Sequence, residues 1–304
     1  MALPASGDDR FHRFFSPAKV NLMLAVHGRR PDGFHALTSL VAPLDFGDWL
    51  KIRVSAGKEG DRLSCDREDL PGGPENLVLR AAAVFRRASG EAPHFEFALE
   101  KRIPVGAGLG GGSSNAATAL LGMNRICGEP FSQEALRGLA AEIGSDCPFF
   151  IEPALALMRG RGERLEEAAP GLREQLEGRR LLVFHPGFGV STAWAYGALA
   201  DSKAYSGEEE AERRLRAFLR GGAVKQLLFN SFESVVPVKY RAIEALLDRL
   251  RGIGVDCMMS GSGSACFAFP PARGAGLSAV ADLVRDAWGE RAFCIETSIA
   301  PKNT

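Results

Sequence analysis

The chain has 304 residues, 46% of them apolar and 24% charged, enough for a substantial core and more in keeping with two domains than with one. Its 37 basic and 37 acidic side chains cancel, which removes any global electrostatic footing for nucleic acid or an anionic membrane, so phosphate binding would need local positive charge. Residues 1–13 hold Asp8, Asp9, Arg10 and Arg13 with no apolar h-region, and no uninterrupted apolar run reaches ~18 residues, so neither export nor a membrane span is expected.

After a polar start, a strand is expected over Lys19–His27. Val20, Leu22, Leu24 and Val26 share one face, which puts Lys19 and Asn21 together on the other. A cation and an amide on one surface suit either a solvated outer face or a ligand site. Residues 28–35 are rich in turn signals, Pro31-Asp32-Gly33 above all, and present Phe34 beside His35. That pair could stack on a flat ring and hydrogen-bond its edge, or could be a structural loop with one buried Phe. Residues 44–54 suggest a turn followed by a strand. A Gly/Pro-rich connection from Pro71 to Pro74 leads to a helix over Asn76–Arg87.

Phe95, Phe97 and Leu99 then alternate with Glu96 and Glu100, the pattern of a half-exposed antiparallel strand. It feeds the segment Pro104 to Ser114, which has five glycines between Gly106 and Gly112. Lacking Cβ atoms, such a backbone can approach an anion closely. Ser113 and Ser114 stand where N-caps belong, before an Ala/Leu-rich helix expected to end near Gly128. The amides at that helix start would add to the anion site. Gly106, Gly108 and Gly111 satisfy G-x-G-x-x-G, yet a dinucleotide loop should follow a fully buried parallel strand, and Pro104 separates this strand from the glycines. No Lys-Ser/Thr pair follows the last glycine, so the Walker pattern fails as well. The segment reads as a phosphate loop of another kind.

Ser132 is expected to cap the next helix, with Phe131 and Leu136 as a staple and Leu136, Leu139, Ala140 and Ile143 buried, and Gly144 should stop it. Asp146 follows, before what looks like an apolar strand; it is either a local cap or a catalytic carboxylate. Residues 160–165 read as a hairpin tip, and a domain boundary is expected near 170. Beyond it, strands over 180–185, 257–260, 266–269 and 293–299 with helices over 192–199, 239–251 and 277–288 give the order β-α-β-β-α-β of the split ferredoxin-like motif. The extra material between 201 and 237 carries Glu208-Glu209-Glu210 and Arg213-Arg214, which suit a solvated helix face. Six cysteines without C-x-x-C spacing read as reduced, buried thiols of a cytosolic protein, and five scattered histidines give no zinc pattern.

Assembled, five segments resemble the GHMP kinase superfamily of galactokinase, homoserine kinase, mevalonate kinase and phosphomevalonate kinase, whose ATP loop reads Pro-x-x-x-Gly-Leu-Gly-Ser-Ser. They are residues 17–22, 30–35, 104–117, 144–149 and 260–264. The resemblance implies an α+β, two-domain GHMP-kinase-like fold. Residues 1–170 would be an N-terminal, ATP-binding domain like ribosomal protein S5 domain 2, and residues 171–304 a C-terminal ferredoxin-like domain, with the active site in the cleft between them. It implies ATP and Mg²⁺ as cofactors, with the Mg²⁺ ligands unassigned, and a small-molecule alcohol as acceptor.

Residue by residue, Asp146 resembles the catalytic base and Lys19 the cation that orients the nucleophile. Pro104, Val105, Gly106, Ala107, Gly108, Leu109, Gly110, Gly111, Gly112, Ser113 and Ser114 resemble the ATP loop. Asn21, Phe34, His35, Gly261, Ser262 and Gly263 resemble substrate contacts, His35 at the edge of a cytosine. The acceptor implied is a cytidine diphosphate conjugate of a sugar alcohol, with a homoserine- or mevalonate-type alcohol as the alternative. Phe34 stands where the family commonly has Tyr, and the loop at residues 260–264, which Met258 and Met259 lead into, has serine where threonine is usual and an Arg often precedes.

Overall fold

The computed structural model describes residues 10–55, 60–67, 70, 72–90, 92–271 and 276–302. Most of the polar start and Pro71 lie outside the described residues. Contacts divide the chain into two compact units that do not follow chain order. The first comprises the chain through Ala18, Phe46–Ile103 and Gly110–Pro153; the second comprises Lys19–Asp45, Pro104–Leu109 and the chain from Ala154 onward. Two long strands, β1 (His12–Arg29) and β2 (His35–Val54), continue from one unit into the other.

In the first unit the sheet order is β3 (Arg62–Cys65), β4 (Phe95–Glu100), β2, β1. β4 runs antiparallel to Trp49–Val54 and buries Phe95, Phe97 and Leu99, as their alternation predicts. Its other face carries ion pairs, Glu96 to Arg53 at 2.6 Å and Glu100 to Lys51 at 2.6 Å. Among the described residues this unit has the helices α1 (Leu77–Ser89), α2 (Gly111–Ile126) and α3 (Gln133–Ile143). Asn76 caps α1 by accepting from Val78 N, and Ser132 caps α3 by accepting from Ala135 N. Leu136, Ala140 and Ile143 are buried, whereas Leu139 is half-buried; Phe131 packs edge-on against Phe85 at 5.2 Å.

Three expectations give way here. β1 starts at His12, well before Lys19. No turn interrupts β2: Gly47 serves close packing, because a Cβ there would overlap the Ser16 carbonyl oxygen and stand 2.8 Å from Pro17 Cα. Residues Cys147–Ile151 form a buried 3-10 turn in place of a strand, with Pro148 at its start, where a missing N–H costs nothing.

In the second unit one sheet has the order β6 (Arg164–Glu167), β5 (Ala156–Gly160), β2, β1, β8 (Phe229–Asn230). The β5–β6 hairpin turns at the glycines expected to form its tip. The other sheet has the order β11 (Phe293–Ser298), β7 (Arg180–His185), β10 (Cys266–Ala268), β9 (Cys257–Met259), antiparallel throughout. Helices α9 (Arg241–Gly252) and α10 (Leu277–Trp288) bury Ile243, Leu246, Leu247 and Leu250, and Leu277, Val280, Ala281 and Val284. With α5 (Thr192–Ser202) after β7, the β-α-β-β-α-β order is as read. Tyr240 separates α9 from the short α8 (Val236–Lys239), so the helix expected from Lys239 begins two residues later.

Among the described residues this unit also has α4 (Pro170–Leu176), α6 (Glu208–Leu219) and α7 (Val224–Leu227). On α6 the acidic face is engaged: Arg159 of β5 meets Glu212 at 2.6 Å and Glu208 at 3.5 Å, while Arg214 lies over the Phe229 ring. All six cysteines are free, and burial raises every one of their thiol pKa values, to about 11 at Cys147 and about 12 at Cys257. No described helix is long and apolar enough to cross a membrane.

The packing of Gly47 gives a direct test. Gly47→Ala should destabilise the protein by about 1–3 kcal/mol, the usual cost of overpacking, and lower the midpoint of thermal unfolding by several degrees in a melt followed by circular dichroism.

Candidate active site

In the second unit the glycine segment lies against β1. Lys19 is only 6% exposed, and its ammonium donates to Asn21 Oδ1 at 2.6 Å and to the Gly108 carbonyl at 2.8 Å. The Lys19 amide donates to Leu109 O at 3.0 Å, so both backbone and side chain fasten the segment to the strand. A relay fixes Asn21: its Nδ2 donates to Ser39 Oγ at 2.9 Å, and Ser39 Oγ donates to Met23 O at 2.7 Å. The solvated-face reading of Lys19 and Asn21 is therefore wrong. Period-two alternation reports which face a side chain is on, but not what will cover that face.

Gly108 takes φ +78°, and a Cβ there would overlap the Ser260 carbonyl and stand 3.2 Å from Gly263 N. Ser260 Oγ donates to Gly108 O at 3.2 Å, Ala265 N to Ala107 O at 3.0 Å, and Val190 N to Gly106 O at 3.3 Å. The glycine-containing loop at residues 260–264 is pinned in turn. Asn230 Nδ2 donates to the carbonyls of Met259 and Gly261 at 2.8 Å each, and Ser262 pairs with Thr192 at 2.9 Å. Lys19, Asn21, Gly108 and Gly261 thus form one packed cluster, in which a Cβ on Gly261 would stand 3.3 Å from Asn21 Oδ1.

Phe34 and His35 belong to a second cluster of the same unit. Phe34 is 53% exposed, with the Arg161 guanidinium 4.9 Å from its ring centre. The His35 ring stacks on Tyr196, centroids 4.8 Å apart and planes 29° apart, and Tyr205 stands 5.9 Å away on a tilted plane. Neither tyrosine was singled out from the sequence. A signal existed: the chain has only three tyrosines, all in its second half, and two of them gather at this one imidazole. Burial, then the charge of Arg29, holds the His35 pKa below 6.5, so the ring is neutral at pH 7.

The first unit holds the end of the glycine segment and Asp146. Helix α2 begins at Gly111, and Gly110 precedes it in the left-handed region at φ +72° with no side-chain cap. Ser113 and Ser114 accordingly lie inside the first turn and do not cap it. Ser114 is fully buried and accepts from Ser16 Oγ at 2.8 Å. The first helical bond runs from Ser114 N to Gly110 O, so the amides of Gly111, Gly112 and Ser113 come before any intrahelical partner. Asp146 is half-buried at the start of the 3-10 turn, with φ −86° and ψ −13°, and its carboxylate makes no capping bond there, which removes the local-cap reading.

Two family models match the chain: the GHMP kinases N-terminal domain over residues 76–152 and the GHMP kinases C-terminal domain over residues 210–290. Among curated proteins, the 4-diphosphocytidyl-2-C-methyl-D-erythritol kinase of Geobacter sulfurreducens is 37% identical over 254 residues, 83% of this chain and 88% of that protein. The protein of the same name from Synechococcus sp. strain CC9902 is 40% identical over 268 residues, 83% of this chain and 85% of that one. A solved structure of 4-(cytidine 5'-diphospho)-2C-methyl-D-erythritol kinase superposes with a TM-score of 0.74 at 33% identity, covering 94% of this chain and 99% of the other. The mevalonate kinase of L. major shares the fold at a TM-score of 0.72, 14% identity and complete coverage of both chains.

The histidine cluster can be tested by titration. The imidazole of His35, followed by NMR, should titrate below 6.5 in the folded protein, and Tyr196→Ala, by uncovering the ring, should move the midpoint back toward 6.5. Since the folded pKa is depressed, the stability His35 contributes is present above about 6.5 and is lost as pH falls below it.

Proposed function

Given that the chain belongs to the GHMP kinases, in their 4-diphosphocytidyl-2-C-methyl-D-erythritol kinase family, we propose that it transfers the terminal phosphoryl group of ATP to the 2-hydroxyl of 4-diphosphocytidyl-2-C-methyl-D-erythritol. This is the ATP-dependent step of the non-mevalonate isoprenoid route. The observation that carries the reading is the buried Lys19 ammonium fastened to the Gly108 carbonyl of the glycine segment. A cation buried in that position offsets charge where a phosphate would lie. In the same reading residues 1–170 are the ATP-binding domain and residues 171–304 the second domain.

The chain's own groups suit a nucleotide triphosphate. The amides of Gly111, Gly112 and Ser113 stand before the first helical bond of α2, and the left-handed glycines let backbone approach the phosphates closely. A helix dipole contributes only about 0.3–1 kcal/mol, up to ~2 when partly buried, so Pro104–Ser114 must act as a set of donors together with Lys19. Among the described residues no three His, Cys, Asp or Glu side chains converge. That fits a Mg²⁺ ion carried by the nucleotide's own phosphates with one or two protein oxygens, and such an ion would offset charge on the β- and γ-phosphoryl groups.

Phosphoryl transfer needs positioning and charge neutralisation more than covalent chemistry. The substrate oxygen forms a bond to the γ-phosphorus as the bond to the ADP oxygen breaks, and Asp146 takes the hydroxyl proton. Lys19, its position set by Asn21 and Gly108, orients the hydroxyl and offsets the charge that develops. Neutral His35 with Tyr196 offers a flat face and a hydrogen-bonding edge for the cytosine, with the Phe34 ring beside them. Gly261, Ser262 and Gly263 close the substrate side.

A coupled assay with ATP, Mg²⁺ and 4-diphosphocytidyl-2-C-methyl-D-erythritol should show turnover, with homoserine and mevalonate giving none. Folded protein that phosphorylates mevalonate or homoserine instead would replace the acceptor assigned here. Asp146→Asn should lower kcat by about 10²- to 10⁴-fold while the affinity for an ATP analogue stays within about threefold, as measured by calorimetry.

A further inference from the structure

Asp48 is fully buried in β2 and was not singled out from the sequence as a functional residue. Its carboxylate accepts four hydrogen bonds. Oδ1 receives the amides of Arg102 at 2.7 Å and Ile103 at 2.8 Å, while Oδ2 receives Lys101 Nζ at 2.5 Å and Asn115 Nδ2 at 2.9 Å. Arg102 and Ile103 are the two residues before Pro104, and Asn115 is the residue after Ser114. One side chain therefore holds both feet of the glycine segment. Asn115 Nδ2 also donates to Ser16 Oγ at 2.8 Å, and Ser16 Oγ donates to Ser114 Oγ at 2.8 Å, so the first turn of α2 is tied down at two successive positions.

The Lys101 side chain is 5% exposed, and burial lowers its pKa against the opposing pull of Asp48. Its ammonium stands 2.8 Å from where a Cβ on Gly111 would be, directly under the start of α2. Buried ion pairs are weak devices for stability, since well-packed apolar side chains often do as well or better. What this pair supplies beyond stability is geometry. The carboxylate has four lone-pair sites and all four are used, each by a donor on or beside the segment.

We propose that Asp48 is the positioning residue of the nucleotide loop: it fixes Ile103 relative to Asn115, and so aims the amides of Gly111, Gly112 and Ser113 at the phosphates. This rests on the reading of Pro104–Ser114 as the ATP loop. Lys101 meets Oδ2 with its ammonium, which leaves Oδ1 to the amides of Arg102 and Ile103.

The test compares the wild type with the double variant Asp48→Asn/Lys101→Met. In the variant the amide oxygen can still accept from Arg102 and Ile103, but its nitrogen opposes Asn115 Nδ2, so the tie to α2 is lost with no buried charge left over. The expected result is a cooperative melt and a KM for ATP raised about tenfold or more, with the KM for the alcohol acceptor within about twofold of wild type. Asn115→Ala, which only shortens a side chain on the same tie, serves the same comparison if the double variant does not fold, and should raise the KM for ATP alone. Unchanged nucleotide KM in a folded variant, an equal rise in both KM values, or failure of both variants to fold would overturn the proposal. Failure of the wild type to bind an ATP analogue would instead remove the nucleotide reading beneath it.

Discussion

A single carbonyl oxygen, that of Gly108, accepts from the ammonium of Lys19 and from the hydroxyl of Ser260. That double contact is possible only because residue 108 has no side chain, since a Cβ would collide with the Ser260 carbonyl. Much of the second unit is arranged around it. β1 supplies the lysine, the loop between β9 and β10 supplies the serine, and Asn230 holds that loop by its carbonyls. Burying an ammonium is expensive unless oxygens surround it, and Asn21 Oδ1 and Gly108 O meet part of that need. Asn21 can do so only because Ser39 holds its amide in one orientation.

The first unit solves a similar problem with a carboxylate. Asp48 has no exposure, and its four donors come from a strand end, a lysine and a helix start. The two arrangements share a logic. Each spends a charged group on holding chain in place: Lys19 holds the glycine segment itself, and Asp48 the residues that flank it. A buried charge with all its partners supplied tolerates little displacement, because any movement leaves a donor or acceptor unpaired at a cost of about 1–3 kcal/mol.

What the sequence made legible follows from how local each signal is. Alternation at Phe95, Phe97 and Leu99, the cap at Ser132 and the inward stripe of α9 depend on neighbours within a few residues, and all three are found. The β-α-β-β-α-β order was readable for the same reason. Lys19 could be placed on its strand, but its burial depends on Gly108, 89 residues away in the chain, and the 3-10 turn that follows Asp146 reads locally as an apolar strand. Asp48 was hidden because its donors lie at 101–103 and 115, and an Asp beside Gly47 looks like a turn. The serines of the glycine segment suggested caps, whereas the left-handed Gly110 ends the loop and puts both serines inside the helix. Tyr196 and Tyr205 reach His35 across more than 150 residues, a distance that no window of sequence spans.

The six unbridged thiols have a consequence for how the protein ages. Burial pushes each of them above its ordinary pKa, so at neutral pH the sulfur keeps its proton and the nucleophilic thiolate is scarce. Peroxide and alkylating reagents attack the thiolate, and oxidation to the sulfenic acid starts from it. The proposed chemistry uses an amine, a carboxylate and backbone amides, so none of these sulfurs is called on as a nucleophile.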